Sequence, residues 1–221
     1  MKFAVSFALL SLLFLLAAAS YGGWLWLLAW PSFSFAIVAA AYMGAGPCVF
    51  GKRPDGTLRL VNLIALLPYL LYTGLVWRIA RFLSREAPFN QLSPSIYLGR
   101  RLLSDERDPS FQNVIDLTGE FIEPYAMRAA GYRSFPILDA SVPDHRSLVR
   151  LVEEIEKLEG VTYIHCAQGH GRTVTVAAAY LLLTGQVSCV DQALDCVLAC
   201  RPGAKVGKCQ KQFLNTLKQK G

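Results

Sequence analysis

The sequence predicts an α/β sandwich with a mainly parallel central sheet, preceded by an N-terminal helical transmembrane region. Two observations carry this: long apolar runs crowd into the first third of the chain, and beyond them short apolar stretches alternate with amphipathic ones. Strands interleaved with helices imply a parallel sheet whose faces the helices cover. At 221 residues there is room for one such domain plus an added segment, and too little chain for two full domains.

The added segment comes first. Phe3 to Ala19, Trp24 to Met43 and Leu60 to Trp77 are apolar runs without charge, and each is close to the roughly 20 residues a bilayer-spanning helix needs. Residues 1–83 therefore read as a transmembrane region with spans at 3–19, 24–43 and 60–77, and Gly22 with Gly23 closes a tight hairpin between the first two. A competing reading takes Lys2 and the Leu-rich run as a secretory signal, because Ala17, Ala18 and Ala19 resemble a cleavage site. Three uncleaved spans would place the C-terminal domain inside, whereas cleavage would place it outside. Lys52, Arg53 and Arg59 nearly balance Arg78, Arg81 and Arg85, so the charge bias hardly decides; the thiol chemistry below favours the reducing, cytoplasmic side.

The net charge of +6 invites a nucleic-acid partner until it is located. Residues 1–89 hold seven Lys and Arg against two acids, and residues 90–221 hold fifteen against fourteen. The basicity flanks apolar runs, as headgroup anchors do, and a near-neutral remainder argues against nucleic acid. Six cysteines, at 48, 166, 189, 196, 200 and 209, form no C-x-x-C pair and no zinc-type spacing with His. Cys189, Cys196 and Cys200 suit buried positions on a helix, and the sharper reading is that one of them resolves an oxidised Cys166.

Residues 84–94, with Pro88, Asn90, Ser93 and Pro94, read as a linker into a domain over 95–221. In that domain Ser95 to Leu98, Val114 to Leu117, Phe135 to Leu138 and Val161 to His165 read as strands. His145 to Leu158, Thr173 to Thr184, Cys189 to Cys200 and Lys208 to Lys218 read as helices. Ser188 is a predicted N-cap, and Gly185 and Gly203 are predicted stops.

The segment Val161-Thr-Tyr-Ile-His165-Cys166-Ala167-Gln168-Gly169-His170-Gly171-Arg172-Thr173 runs from a strand through a glycine-bearing loop into a helix. Such a turn can aim backbone N–H groups inward and form an anion nest at the positive end of the helix. Gly169 and Gly171 suit a loop that demands positive φ and close backbone approach. The N–H dipoles and Arg172 would favour the Cys166 thiolate, the form that attacks. Arg172 can fork onto two phosphoryl oxygens, a grip that strengthens in the transition state and that Lys does not reproduce. Thr173 can offer its hydroxyl to the sulfur as it departs, and His165 would order the loop.

Departure of an alkoxide or phenoxide needs a proton. Asp139, ending a strand and opening a loop, is the chosen acid. Asp144 is the alternative, and its other reading is N-cap of the helix near His145. His170 stands at the rim and could attract a second anionic group when protonated, or could be a loop residue without a specific role.

His165-Cys166, five residues, then Arg172-Thr173 resembles the signature of the protein tyrosine phosphatase superfamily. The likeness extends over about 93–215. Ser95-Ile-Tyr-Leu-Gly99, Asn113-Val-Ile-Asp-Leu117, Leu138-Asp139 and Arg201-Pro-Gly-Ala204 are similar to stretches of its dual-specificity branch. The resemblance implies a three-layer αβα sandwich, a phosphocysteine intermediate, and neither metal nor cofactor. It implies as substrate a phosphorylated protein, with phosphotyrosine foremost; tethering by the expected spans favours the alternative, a phospholipid such as a phosphoinositide or phosphatidylglycerophosphate. Gln168 stands where a small residue is usual in that family. A membrane-anchored phosphate-binding scaffold without turnover is the reading from another class.

Overall fold

The computed structural model describes residues 2–128 and 131–217; Lys218, the expected end of the last helix, lies outside them. The chain divides into two compact units, Met1–Leu83 with Gly119–Ile122, and Ser84–Thr118 with Glu123–Gly221.

In the first unit, α1 (Lys2–Tyr21) turns at Gly22 and Gly23, with φ of 62° and 56°, where a side chain would be strained. A 3-10 turn, Gly23–Leu28, leads into α2 (Ala29–Ala40), whose end loosens into a π turn at Ala41–Ala45. α3 (Leu60–Leu83) carries Pro68 inside it. Helices Lys2–Tyr21, Gly23–Ala45 and Leu60–Leu83 are long and apolar enough to cross a membrane, by length and composition.

Polar side chains join these helices. Ser11 and Ser32 each donate a hydroxyl to the other's carbonyl at 2.8 Å, and Trp30 Nε1 donates to the Ile64 carbonyl at 3.0 Å. Phe35 meets Tyr69 edge-on at 5.8 Å. Leu13, Leu27, Val61, Leu71 and Phe82 are exposed, an outer surface unlike that of a water-soluble bundle.

The second unit is built on a five-stranded sheet of order β1-β2-β5-β3-β4: β1 (Phe89–Ser93), β2 (Ile96–Arg100), β3 (Phe111–Asp116), β4 (Gly131–Ser134) and β5 (Val161–Cys166). β1 runs antiparallel to β2, and the other pairings are parallel. Period-two alternation gives each face its core. Ile96, Leu98, Ile115 and Ile164 meet α5 (His145–Glu156), α6 (Gly171–Leu183), α7 (Val190–Cys200) and α8 (Lys208–Leu217). On the other face Phe111 stacks on Tyr163 at 4.6 Å beside Val114 and Met127, the latter from the short α4 (Tyr125–Arg128).

Three expectations change. The expected linker contains an edge strand, β1. The expected strand Phe135–Leu138 gives way to β4 just upstream, because Pro136 has no N–H for a ladder; 135–138 leaves the sheet through Phe135 N to Asp116 O (2.8 Å) and Ile137 N to Leu117 O (3.0 Å). The N-cap of α7 is Cys189, while the hydroxyl and N–H of Ser188 both donate to Gln192 Oε1.

Candidate active site

β5 lies between β2 and β3, so its carboxyl end opens where parallel sheets present their crevice. Cys166 closes that strand opposite Arg100 and is buried. Ala167, Gln168, Gly169 and His170 turn the chain, and α6 starts at Gly171 with no side-chain cap on its first turn. Sulfur and helix N-terminus thus flank one short loop, and the helix's first N–H groups add positive potential.

Gly169 has φ 72°, and a Cβ there would lie 2.4 Å from the Gly99 carbonyl carbon and 2.5 Å from its oxygen. Both counts demand glycine, since backbone has nowhere to move. Gly171 differs from expectation: its φ is not positive, and it is needed instead for packing, because a Cβ would meet the Gln210 amide at 2.8 Å.

Arg172 is 2% exposed and points to the segment after β4: Nη1 donates to the Ile137 carbonyl at 3.1 Å, and Nη2 lies 3.4 Å from Asp139 Oδ1. Asp139 itself is 68% exposed. Its loop is fastened beyond this point. Ala140 has φ 52°, a strained value for a non-glycine residue. Ser141 turns back onto the Leu138 carbonyl through its N–H and its hydroxyl, and Gln210 Nε2 donates to Ser141 O at 3.2 Å.

Asp144 is elsewhere engaged. It N-caps α5, accepting from Ser147 N at 3.0 Å and Ser147 Oγ at 3.1 Å, and these bonds hold its carboxyl below the ordinary range. Thr173 is fully buried, and its hydroxyl has no hydrogen-bond partner among the described residues.

His170 is half-buried at the rim, and its Nε2 lies 2.8 Å from Glu86 Oε2. A carboxylate of the chain itself therefore occupies the place where a second anionic group was expected. Glu86 precedes the sheet by three residues and had no local signal.

His165 is fully buried, stacks on Tyr163 at 5.3 Å and places Nε2 3.6 Å from Glu123 Oε1. Asp116, Glu123 and His165 bring one ligand atom each within 4.8 Å of one another, a donor set that could hold a cation. Positive charge is already present: Arg101 Nε lies 3.5 Å from Glu123 Oε2. Asp116 accepts from Thr118 N at 2.8 Å, Thr118 Oγ1 at 2.7 Å and Tyr132 Oη at 2.8 Å. Burial first, and then the Asp116 charge, push the Tyr132 hydroxyl far above its ordinary range.

This part of the chain is similar to known proteins. Residues 101–186 match a family model described as "Tc-R-P: Polymorphic toxin system, DSP-PTPase phosphatase". The human dual specificity protein phosphatase CDC14C is 27% identical over 131 residues, covering 58% of this chain and 28% of that protein. The mouse CDC14B is 26% identical over 136 residues, 58% and 26% of the two chains. The chain thus spans little more than a quarter of these relatives. Among solved structures, Tk-PTP in its active form superposes with TM-score 0.54 at 26% identity, covering 61% of this chain and 98% of that one. PTPMT1 in complex with PI(5)P superposes with TM-score 0.53 at 19% identity over 60% and 96% of the two, a likeness of fold. Family model and relatives agree on a phosphatase domain of the dual-specificity type, and the solved structures share its fold.

Proposed function

We propose that this chain uses its dual-specificity-type phosphatase domain to hydrolyse phosphomonoesters through a phosphocysteine intermediate, foremost on tyrosine-phosphorylated protein, while three apolar helices hold it in a membrane. The observation that carries the reading is one juxtaposition: Cys166 at the end of β5, the start of α6 at Gly171, and Arg172 3.4 Å from Asp139.

In this reading the Cys166 sulfur attacks phosphorus, forming the S–P bond as the P–O bond to the leaving group breaks. Asp139 passes its proton to the departing oxygen. Arg172 forks onto two equatorial oxygens, with inward N–H groups of residues 167–172 around the rest. Water then attacks the phosphocysteine, Asp139 receives its proton, and Thr173 turns its buried hydroxyl to the leaving thiolate. His165, paired with Glu123 at 3.6 Å, orders the loop from the residue before the nucleophile. The need for a reduced thiol favours the cytoplasmic side for this domain.

A second reading, hydrolysis of a phospholipid headgroup, is favoured by the three apolar helices. They would confine the loop near the bilayer surface and raise effective substrate concentration without any new contact. PTPMT1, whose fold this domain shares, is known in complex with PI(5)P.

Turnover of an aryl phosphate by the purified full chain at mildly acidic pH, inhibited by vanadate, tests the activity. Comparing phosphotyrosine peptides with phosphoinositide vesicles decides between substrates. A chain that binds vanadate but turns nothing over would be a phosphate-binding membrane scaffold.

A further inference from the structure

Arg201 is 2% exposed, and a guanidinium so far from water is costly unless it is paired and hydrogen-bonded. Its partners show what it is for. Nε donates to Gly169 O at 2.9 Å and Nη2 to Gln168 O at 3.1 Å, two consecutive carbonyls of the loop. Nη1 donates to Ala87 O at 3.2 Å and Asn90 Oδ1 at 2.8 Å, and Nη2 lies 3.5 Å from Glu86 Oε2. Glu86 supplies the countercharge and also holds His170.

We infer that Arg201 is a positioning residue for the phosphate loop, acting through the peptide planes of Gln168 and Gly169. In a trans peptide the carbonyl of one residue and the N–H of the next point opposite ways, and no cis bond is present here. Two carbonyls drawn outward by Arg201 turn the N–H groups of Gly169 and His170 toward the anion side. Arg101 N, donating to Ala167 O at 3.2 Å, does the same for the N–H of Gln168. Two of these three orientations therefore depend on one side chain, 32 and 33 residues along the chain from the carbonyls it holds. Only a planar fork reaches two adjacent carbonyls; Lys in its place could satisfy one.

The inference rests on reading this loop as a phosphate cradle, and its test keeps the two apart. In the full chain, aryl phosphate kinetics, the vanadate dissociation constant and thermal unfolding are compared for wild type, Arg201→Ala, Arg201→Lys and Asn90→Ala. Misaligned amides should weaken vanadate binding and lower kcat together, each by at least roughly tenfold in Arg201→Ala. Arg201→Lys should fall in between, and Asn90→Ala, which loses only the β1 contact, should stay near wild type. If Arg201→Ala does not fold, Arg201→Lys is judged by the same readouts. The inference is overturned if the folded Arg201 variant binds vanadate like wild type, or if Asn90→Ala loses as much affinity. A wild type that binds vanadate without turnover refutes the hydrolytic reading alone, and Arg201 is then judged on binding. A wild type that binds no vanadate refutes both.

Discussion

Arg172 and Asp139 meet at 3.4 Å, Nη2 to Oδ1, although one heads α6 and the other lies on a loop beyond the sheet. The same guanidinium holds the Ile137 carbonyl at 3.1 Å, so the residue that would grip phosphate also positions the carboxyl that would protonate the leaving group. The proposed acid and the proposed cradle thus share one anchor.

Asp139→Asn is expected to bind substrate and lower kcat by about 10²- to 10⁴-fold, the usual contribution of a general acid. Asp144→Ala should leave kcat unchanged and lower the melting temperature, since it removes only a cap. Asp144's carboxyl is depressed by its Ser147 bonds, so its stabilisation is present above its ordinary 3.8 and is lost as pH falls through the lower folded value. Melting curves below pH 3.8 should therefore fall more steeply for wild type than for Asp144→Ala.

Gly169→Ala should destabilise the domain by more than about 1 kcal/mol and abolish turnover, because positive φ and the Gly99 backbone both forbid the methyl. Gly171→Ala should cost less, since its obstacle is the tip of the Gln210 side chain. Thermal unfolding and kcat of the two variants compare these directly.

Tyr132→Phe removes a donor to buried Asp116 and should cost about 1–3 kcal/mol at neutral pH. Burial and the Asp116 charge raise the tyrosine's proton affinity on folding, so its contribution is complete below its ordinary 10.0 and is lost as pH rises through the folded value. Above pH 10.0 wild-type stability should fall more steeply than that of the Phe variant. Tyr163, also raised by burial, keeps the variant's stability falling with pH as well, only less steeply.

With three membrane spans, the full chain should remain in the pellet when membranes are washed with alkaline carbonate. Release into the supernatant would refute the anchoring.

The strand-loop-helix turn was legible because it is contiguous: β5, Cys166, Gly169, Arg172 and α6 lie within one short stretch. Helices α5 to α8 were legible from their apolar periodicity. β1 was not, since Phe-Asn-Gln-Leu-Ser is a half-polar edge strand that buries little. The choice between Asp139 and Asp144 rested on Asp139 ending an expected strand, and only the fold brings one to Arg172 and the other to Ser147. Glu86 lies 84 residues from His170 and 115 from Arg201, so no local pattern could announce that network.

The most direct test is acid quenching of the chain during turnover of an aryl phosphate, followed by mass spectrometry of the peptide that carries Cys166. The account predicts a phosphate adduct on Cys166 that accumulates in Asp139→Asn and is absent, together with turnover, in Cys166→Ser. Hydrolysis that persists in Cys166→Ser, with no adduct on the wild-type cysteine, would contradict it.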